Sequence, residues 1–155
     1  MQVPENLSKF VGSWKGNYRL YLSWLEESIF NSETNALVDF TAKGRFLKIE
    51  YDWSHQEKPH EGLILLGQDK TSDKIIAFWI DSFHLSDKYM VSEGDQDENG
   101  NPSLKGFYAV PGNPDWGWRT MFDFHAEDSF KIIMYNVSPE GDEELAVEAV
   151  YTKMD

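Results

Sequence analysis

From residue 45 the chain reads Arg45-Phe46-Leu47-Lys48-Ile49-Glu50-Tyr51-Asp52-Trp53, which sets Leu47, Ile49, Tyr51 and Trp53 on one side and Lys48, Glu50 and Asp52 on the other. A period of two is that of an extended strand with one face packed and one face in water. The alternation recurs near both ends of the chain. Trp14, Gly16, Tyr18 and Leu20 oppose Lys15, Asn17 and Arg19, while Leu145, Val147, Ala149 and Tyr151 oppose Glu144, Ala146, Glu148 and Thr152. Between them the pattern predicts strands over residues 33–41, 60–67, 74–82, 88–94, 103–110, 118–124 and 130–137, giving about ten in all. Glu98-Asn99-Gly100-Asn101 and Glu140-Gly141-Asp142 supply residues that tolerate positive φ in hairpin turns, and residues 68–73 form a short polar loop. Only residues 4–10 read as a helix, opened by Pro4 with Leu7 and Phe10 on one side.

This rhythm requires no parallel crossovers. A run of short antiparallel strands leaves two exposed edges unless the sheet closes on itself. The expected fold is therefore all-β: an antiparallel up-and-down barrel of about ten strands, one domain over residues 1–155, with the short N-terminal helix closing one end. Two packed sheets would have the same strand count, but Gly12-Ser13-Trp14 directly after the helix places an indole where it plugs a barrel. Lys153 shares the inward parity of the last strand. It is expected to cover Trp14 in a cation–π contact worth ~0.5–2 kcal/mol, which makes the first and last strands neighbours.

A chain of 155 residues is long enough for a full hydrophobic core. Its net charge of -13 repels nucleic-acid backbones and anionic lipid, so neither nucleic acid nor a membrane is expected as a partner. Met1-Gln2-Val3-Pro4-Glu5-Asn6 has neither a basic nor an apolar leader pattern, and no apolar run is long enough for a bilayer, which predicts a cytoplasmic protein. The absence of cysteine excludes disulfides, thiolate nucleophiles and Cys-based metal sites. Chemistry is left to His, Tyr, Lys, Arg and the carboxylates.

Asp81 and His84 are the leading polar candidates, because a carboxylate three residues before an imidazole at a strand end can orient the ring and raise its basicity. The same pair can equally satisfy backbone groups at a strand–loop junction. Asp52, His55 and His60 flank a turn but match no tight zinc spacing, and no metal is expected there. His125, beside Asp123 and Glu127, reads as a solvated strand end. In Pro111-Gly112-Asn113-Pro114-Asp115-Trp116-Gly117-Trp118-Arg119, prolines and glycines fix a loop that brings two indoles and a guanidinium together, as at a barrel mouth or in a packed scaffold. Arg119 would hold an acidic headgroup if it points inward. Its parity with Asp123 puts it outside unless a bulge follows Trp118. Tyr18, Tyr51, Met134 and Tyr151 on the inward parity, together with Trp79, Trp116 and Trp118, make an aromatic wall suited to an apolar body with few polar groups.

Gly12-Ser13-Trp14-Lys15-Gly16, Gly44-Arg45-Phe46-Leu47, Glu61-Gly62-Leu63-Ile64-Leu65-Leu66-Gly67 and Trp79-Ile80-Asp81-Ser82-Phe83-His84 stand in this order. They are followed by Pro114-Asp115-Trp116-Gly117-Trp118-Arg119, Asn136-Val137-Ser138-Pro139-Glu140-Gly141 and the segment from Glu143 to Thr152. The ordered set covers most of the chain and resembles the bacterial proteins filed as domain of unknown function 1579. That resemblance implies a lipocalin-like, or calycin, barrel and, by analogy of fold, ligand carriage; it assigns no activity to particular residues. The chain is more distantly similar to nitrobindin-type haem barrels, which begin with Gly-x-Trp-x-Gly and ligate haem iron through a histidine near the C-terminal strand. Here that stretch is Leu145-Ala146-Val147-Glu148-Ala149-Val150, without histidine, so neither haem nor another cofactor is expected.

The leading function is the binding of a small, largely apolar or amphipathic molecule in the barrel interior. One alternative is an isomerase- or hydrolase-like enzyme using Asp81 and His84 at the mouth, and another is a filled barrel with a protein-interaction role. Association into a homo-oligomer is compatible with the sequence.

Overall fold

The computed structural model describes residues 2–124 and 126–155. One helical turn, α1 (Glu5–Ser8), precedes ten strands: β1 (Gly12–Tyr21), β2 (Ile29–Thr41), β3 (Phe46–His55), β4 (Lys58–Gln68), β5 (Ile75–Asp81), β6 (Met90–Gln96), β7 (Pro102–Tyr108), β8 (Trp116–Asp123), β9 (Ser129–Val137) and β10 (Glu143–Lys153). Every strand pairs antiparallel with its sequence neighbours, and β1 pairs with β10 to close the sheet into a barrel. At that seam Trp14 stands opposite Lys153 and Leu20 opposite Val147. The Lys153 ammonium lies 5.6 Å from the centre of the Trp14 ring. No helix among the described residues is long and apolar enough to cross a membrane.

Alternation decides what is inside. Leu47, Ile49, Tyr51 and Trp53 of β3 are buried, while Glu50 and Asp52 between them are exposed. The register at the seam depends on a missing side chain: a Cβ on Gly16 would stand 1.7 Å from the Val150 carbonyl oxygen, so only glycine lets β1 approach β10 this closely.

The helical turn seals one end. Leu7 and Phe10 are fully buried, and Phe10 meets Phe124 with ring centres 4.6 Å apart. Trp14 packs edge-on against Phe130 at 4.8 Å and donates its indole N–H to the Phe10 carbonyl at 2.9 Å. Burying a phenylalanine fully contributes roughly 1.5–3 kcal/mol, so this aromatic plug is a main stabiliser of the capped end.

Two expectations from the sequence are corrected. Trp116 and Gly117 begin strand β8, which starts two residues before the strand read over 118–124, rather than belonging to a loop. The irregularity lies in β10 instead, where the pairing with β9 shifts between Leu145 and Val147. Ala146 is the additional residue of that bulge and is buried, contrary to its outward parity. His125 falls outside the described residues.

Candidate functional site

Strand β5 ends at Asp81 because its side chain folds the chain into a turn. One carboxylate oxygen accepts the backbone N–H groups of Phe83 at 2.8 Å and His84 at 2.9 Å. The other accepts the Tyr51 hydroxyl at 2.6 Å and the Trp53 indole N–H at 3.3 Å. Tyr51 in turn accepts the Trp79 indole N–H at 2.9 Å. Asp81 is only 2% exposed, so four donors take the place of water around its charge. Burial and the Asp81 charge push the Tyr51 and Tyr18 phenols well above their ordinary range, which keeps both protonated and able to donate.

The turn delivers His84 to the barrel's open end. Its Nε2 meets the Tyr18 hydroxyl at 3.0 Å, and Tyr18 is itself stacked on Trp53 at 4.2 Å. The imidazole centre lies 5.4 Å from that of Trp118 and 5.8 Å from that of Trp79; the two indoles are 5.6 Å apart. Desolvation among these rings pushes the His84 pKa down to about 4; the Asp81 charge opposes the shift and His60 adds to it. The ring is therefore neutral at neutral pH and acts as a hydrogen-bonding group rather than a cation. Asp81 and His84 thus do come together, but through the backbone: the carboxylate holds the turn, and Tyr18 orients the ring.

A cavity of about 880 Å³ opens at the end remote from α1, lined by residues including Leu20, Trp79, His84, Met90, Trp118 and Asn136. The β10 bulge places both Leu145 and Ala146 on its wall. Trp24, Tyr89 and Phe107 stand at the rim, 76%, 66% and 61% exposed. The indole nitrogen of Trp118 is buried and has no hydrogen-bond partner among the described residues. Leaving such a donor unpaired costs roughly 1–3 kcal/mol, and native structures hold few of them.

Of the wall read from sequence, Trp79 and Trp118 line this cavity. Tyr18 reaches it through His84. Tyr51 lies beneath, its hydroxyl shared between Asp81 and Trp79. Tyr151 is fully buried, bonded to Thr34 at 3.0 Å, with its phenol raised by burial. Met134 is buried in the core, and Trp116 pairs with Tyr108 at the start of β8. Arg119 is on the outer face, where it bonds Glu143 at 3.1 Å and lies over the Tyr135 ring at 4.5 Å. Asp52 accepts the Asn35 backbone N–H at 2.9 Å, His60 bonds Ser82 at 2.9 Å, and His55 packs against Phe30 and Phe83, so the three serve separate contacts. Sequence reasoning missed the walls from Phe83 to Tyr89 and at Leu145-Ala146. The adjacent apolar residues Leu145-Ala146-Val147, which break the alternation, were the available signal of the bulge.

The last strand carries no histidine to ligate haem iron. The inward positions of the last strand are Val147, Ala149 and Tyr151, all buried, with Tyr151 stacked on Phe130 at 4.8 Å. None can supply an imidazole to iron from that strand.

A family model described as protein of unknown function (DUF1579) matches residues 2–153. No curated protein matches the chain. Among solved structures, the crystal structure of Rv2717c from M. tuberculosis is similar, with a TM-score of 0.66 and 12% sequence identity over 99% of this chain and 100% of that one. At that identity the likeness is one of fold.

Proposed function

Since the chain belongs to the DUF1579 family, whose description assigns no activity, we propose from the cavity itself that this protein binds a small molecule with a largely apolar body in the open end of its barrel. The observation that carries the reading is the contrast between the two ends. The capped end is filled by Phe10, Trp14, Phe124 and Phe130, whereas the open end keeps about 880 Å³. Ligand sites typically span ~300–1,000 Å³, mostly apolar with a few placed polar groups, and the Trp79, His84 and Trp118 floor supplies such groups.

The test is a titration with an environment-sensitive naphthyl ketone, followed by its emission and by indole quenching, beside native mass spectrometry of the freshly purified protein. Saturable one-to-one binding is expected, and Ala146→Phe, which fills the cavity wall, should weaken it at least tenfold while the protein stays folded. Absence of saturable binding together with an unadorned native mass overturns the reading.

A further inference from the structure

Three rings that carry N–H groups form the cavity floor, and their hydrogen bonds are not equivalent. The Trp79 indole N–H is occupied by Tyr51. That of Trp118 has no partner among the described residues. For His84 the Tyr18 contact sets the tautomer: the protonated phenol has no second acceptor among the described residues, so it donates to Nε2 and leaves the imidazole proton on Nδ1. Nδ1 has no hydrogen-bond partner among the described residues and sits on a ring that lines the cavity. Both unoccupied polar groups of the floor are therefore neutral donors, 5.4 Å apart from ring centre to ring centre.

The surrounding charge adds a second constraint. Asp81, directly behind His84, is a buried carboxylate held by neutral donors without a cation. At the rim Lys88 stands with Asp87 and Glu144, leaving that ring acidic as well. An anionic headgroup lowered onto the floor would meet this potential without a compensating cation. A bare hydrocarbon would leave both donors unpaired.

We propose that the cavity selects neutral molecules presenting a carbonyl-type hydrogen-bond acceptor, as in a ketone, ester or amide, over the matching hydrocarbon and the matching carboxylate. This specificity rests on the ligand-binding reading above. His84 and Trp118 are the residues that set it.

Calorimetric titration of the intact protein with 2-undecanone, undecane delivered from a carrier, and undecanoate at neutral pH tests the inference. The ketone should bind about five- to thirtyfold more tightly than either analogue, a range set by one or two ordinary hydrogen bonds. The infrared carbonyl band of the bound ketone should move to lower frequency. His84→Phe and Trp118→Phe should each abolish the advantage of the ketone over the alkane measured in the same variant, with near-ultraviolet circular dichroism reporting that the fold has survived the substitution. Equal binding of ketone and alkane, or preference for the carboxylate, overturns the acceptor specificity and leaves the binding reading standing. Failure of all three ligands and of the naphthyl ketone removes both.

Discussion

At the scale of single residues, one carboxylate organises most of the site. Asp81 accepts two backbone N–H groups, a phenol and an indole, so removing it strands four buried donors at once. Asp81→Ala should lower stability by about 3–5 kcal/mol, and Asp81→Asn by about 2 kcal/mol because one acceptor oxygen remains; urea unfolding midpoints check both. His84 makes stability depend on pH in a definite direction. Its pKa is near 4 in the folded protein against 6.5 for the free side chain, so the unfolded chain takes up a proton first as the pH falls. Stability should be flat in this respect above about pH 6.5 and decline between there and about pH 4 by roughly 2–3 kcal/mol. His84→Gln should remove that component of the slope, most visibly between pH 6.5 and 5, where carboxylates contribute least. The Asp81–His84 spacing was legible in the sequence, but not its meaning. An Asx-type turn is local and readable, whereas the bond from Tyr18 to His84 joins residues far apart in the chain and comes into being only when β1 and the turn after β5 face each other across the barrel.

At the scale of elements, period-two alternation predicted every strand because each has one packed face, and departures from it were where prediction failed. The start of β2 was placed at residue 33 rather than Ile29, since Asn31 and Ser32 hide the pairing of Phe30 with Leu20. Trp116 and Gly117 were read as loop because Pro114 and Gly117 are turn residues, although Gly117 packs between Phe107 and Val137 in the ladder. The bulge at Ala146 also escaped notice, as a shift of pairing is a property of two strands and not of one. The β1–β10 seam offers a direct test of how tightly elements are fitted. Gly16→Ala places a methyl group against the Val150 carbonyl, so it should cost more than 3 kcal/mol or prevent closure, whereas Gly44→Ala, with nothing within 4 Å of its added carbon, should cost about 1 kcal/mol through its positive φ alone. Thermal unfolding followed by near-ultraviolet circular dichroism distinguishes the two.

At the scale of the whole molecule, closure of the sheet and filling of one end explain both the fold and the cavity left at the other end. The Trp14–Lys153 contact was legible because both residues carry inward parity at opposite ends of the chain. The size of the cavity was not, since side-chain volumes reveal whether an interior fills only after the registers of all ten strands are known. Because the last strand brings Val147, Ala149 and Tyr151 inward, haem titration should give no stoichiometric Soret band; a tight one that survives His84→Phe would contradict the packing of that strand. The seam has a further consequence during synthesis on the ribosome. β1 emerges well before its partner β10, with eight strands between them, so one edge of the sheet stays open until residues 143–153 have left the exit tunnel. Nascent chains halted before that point should expose the edge to chaperones and aggregate when released, and protection against protease should appear in a single step once the final strand is free.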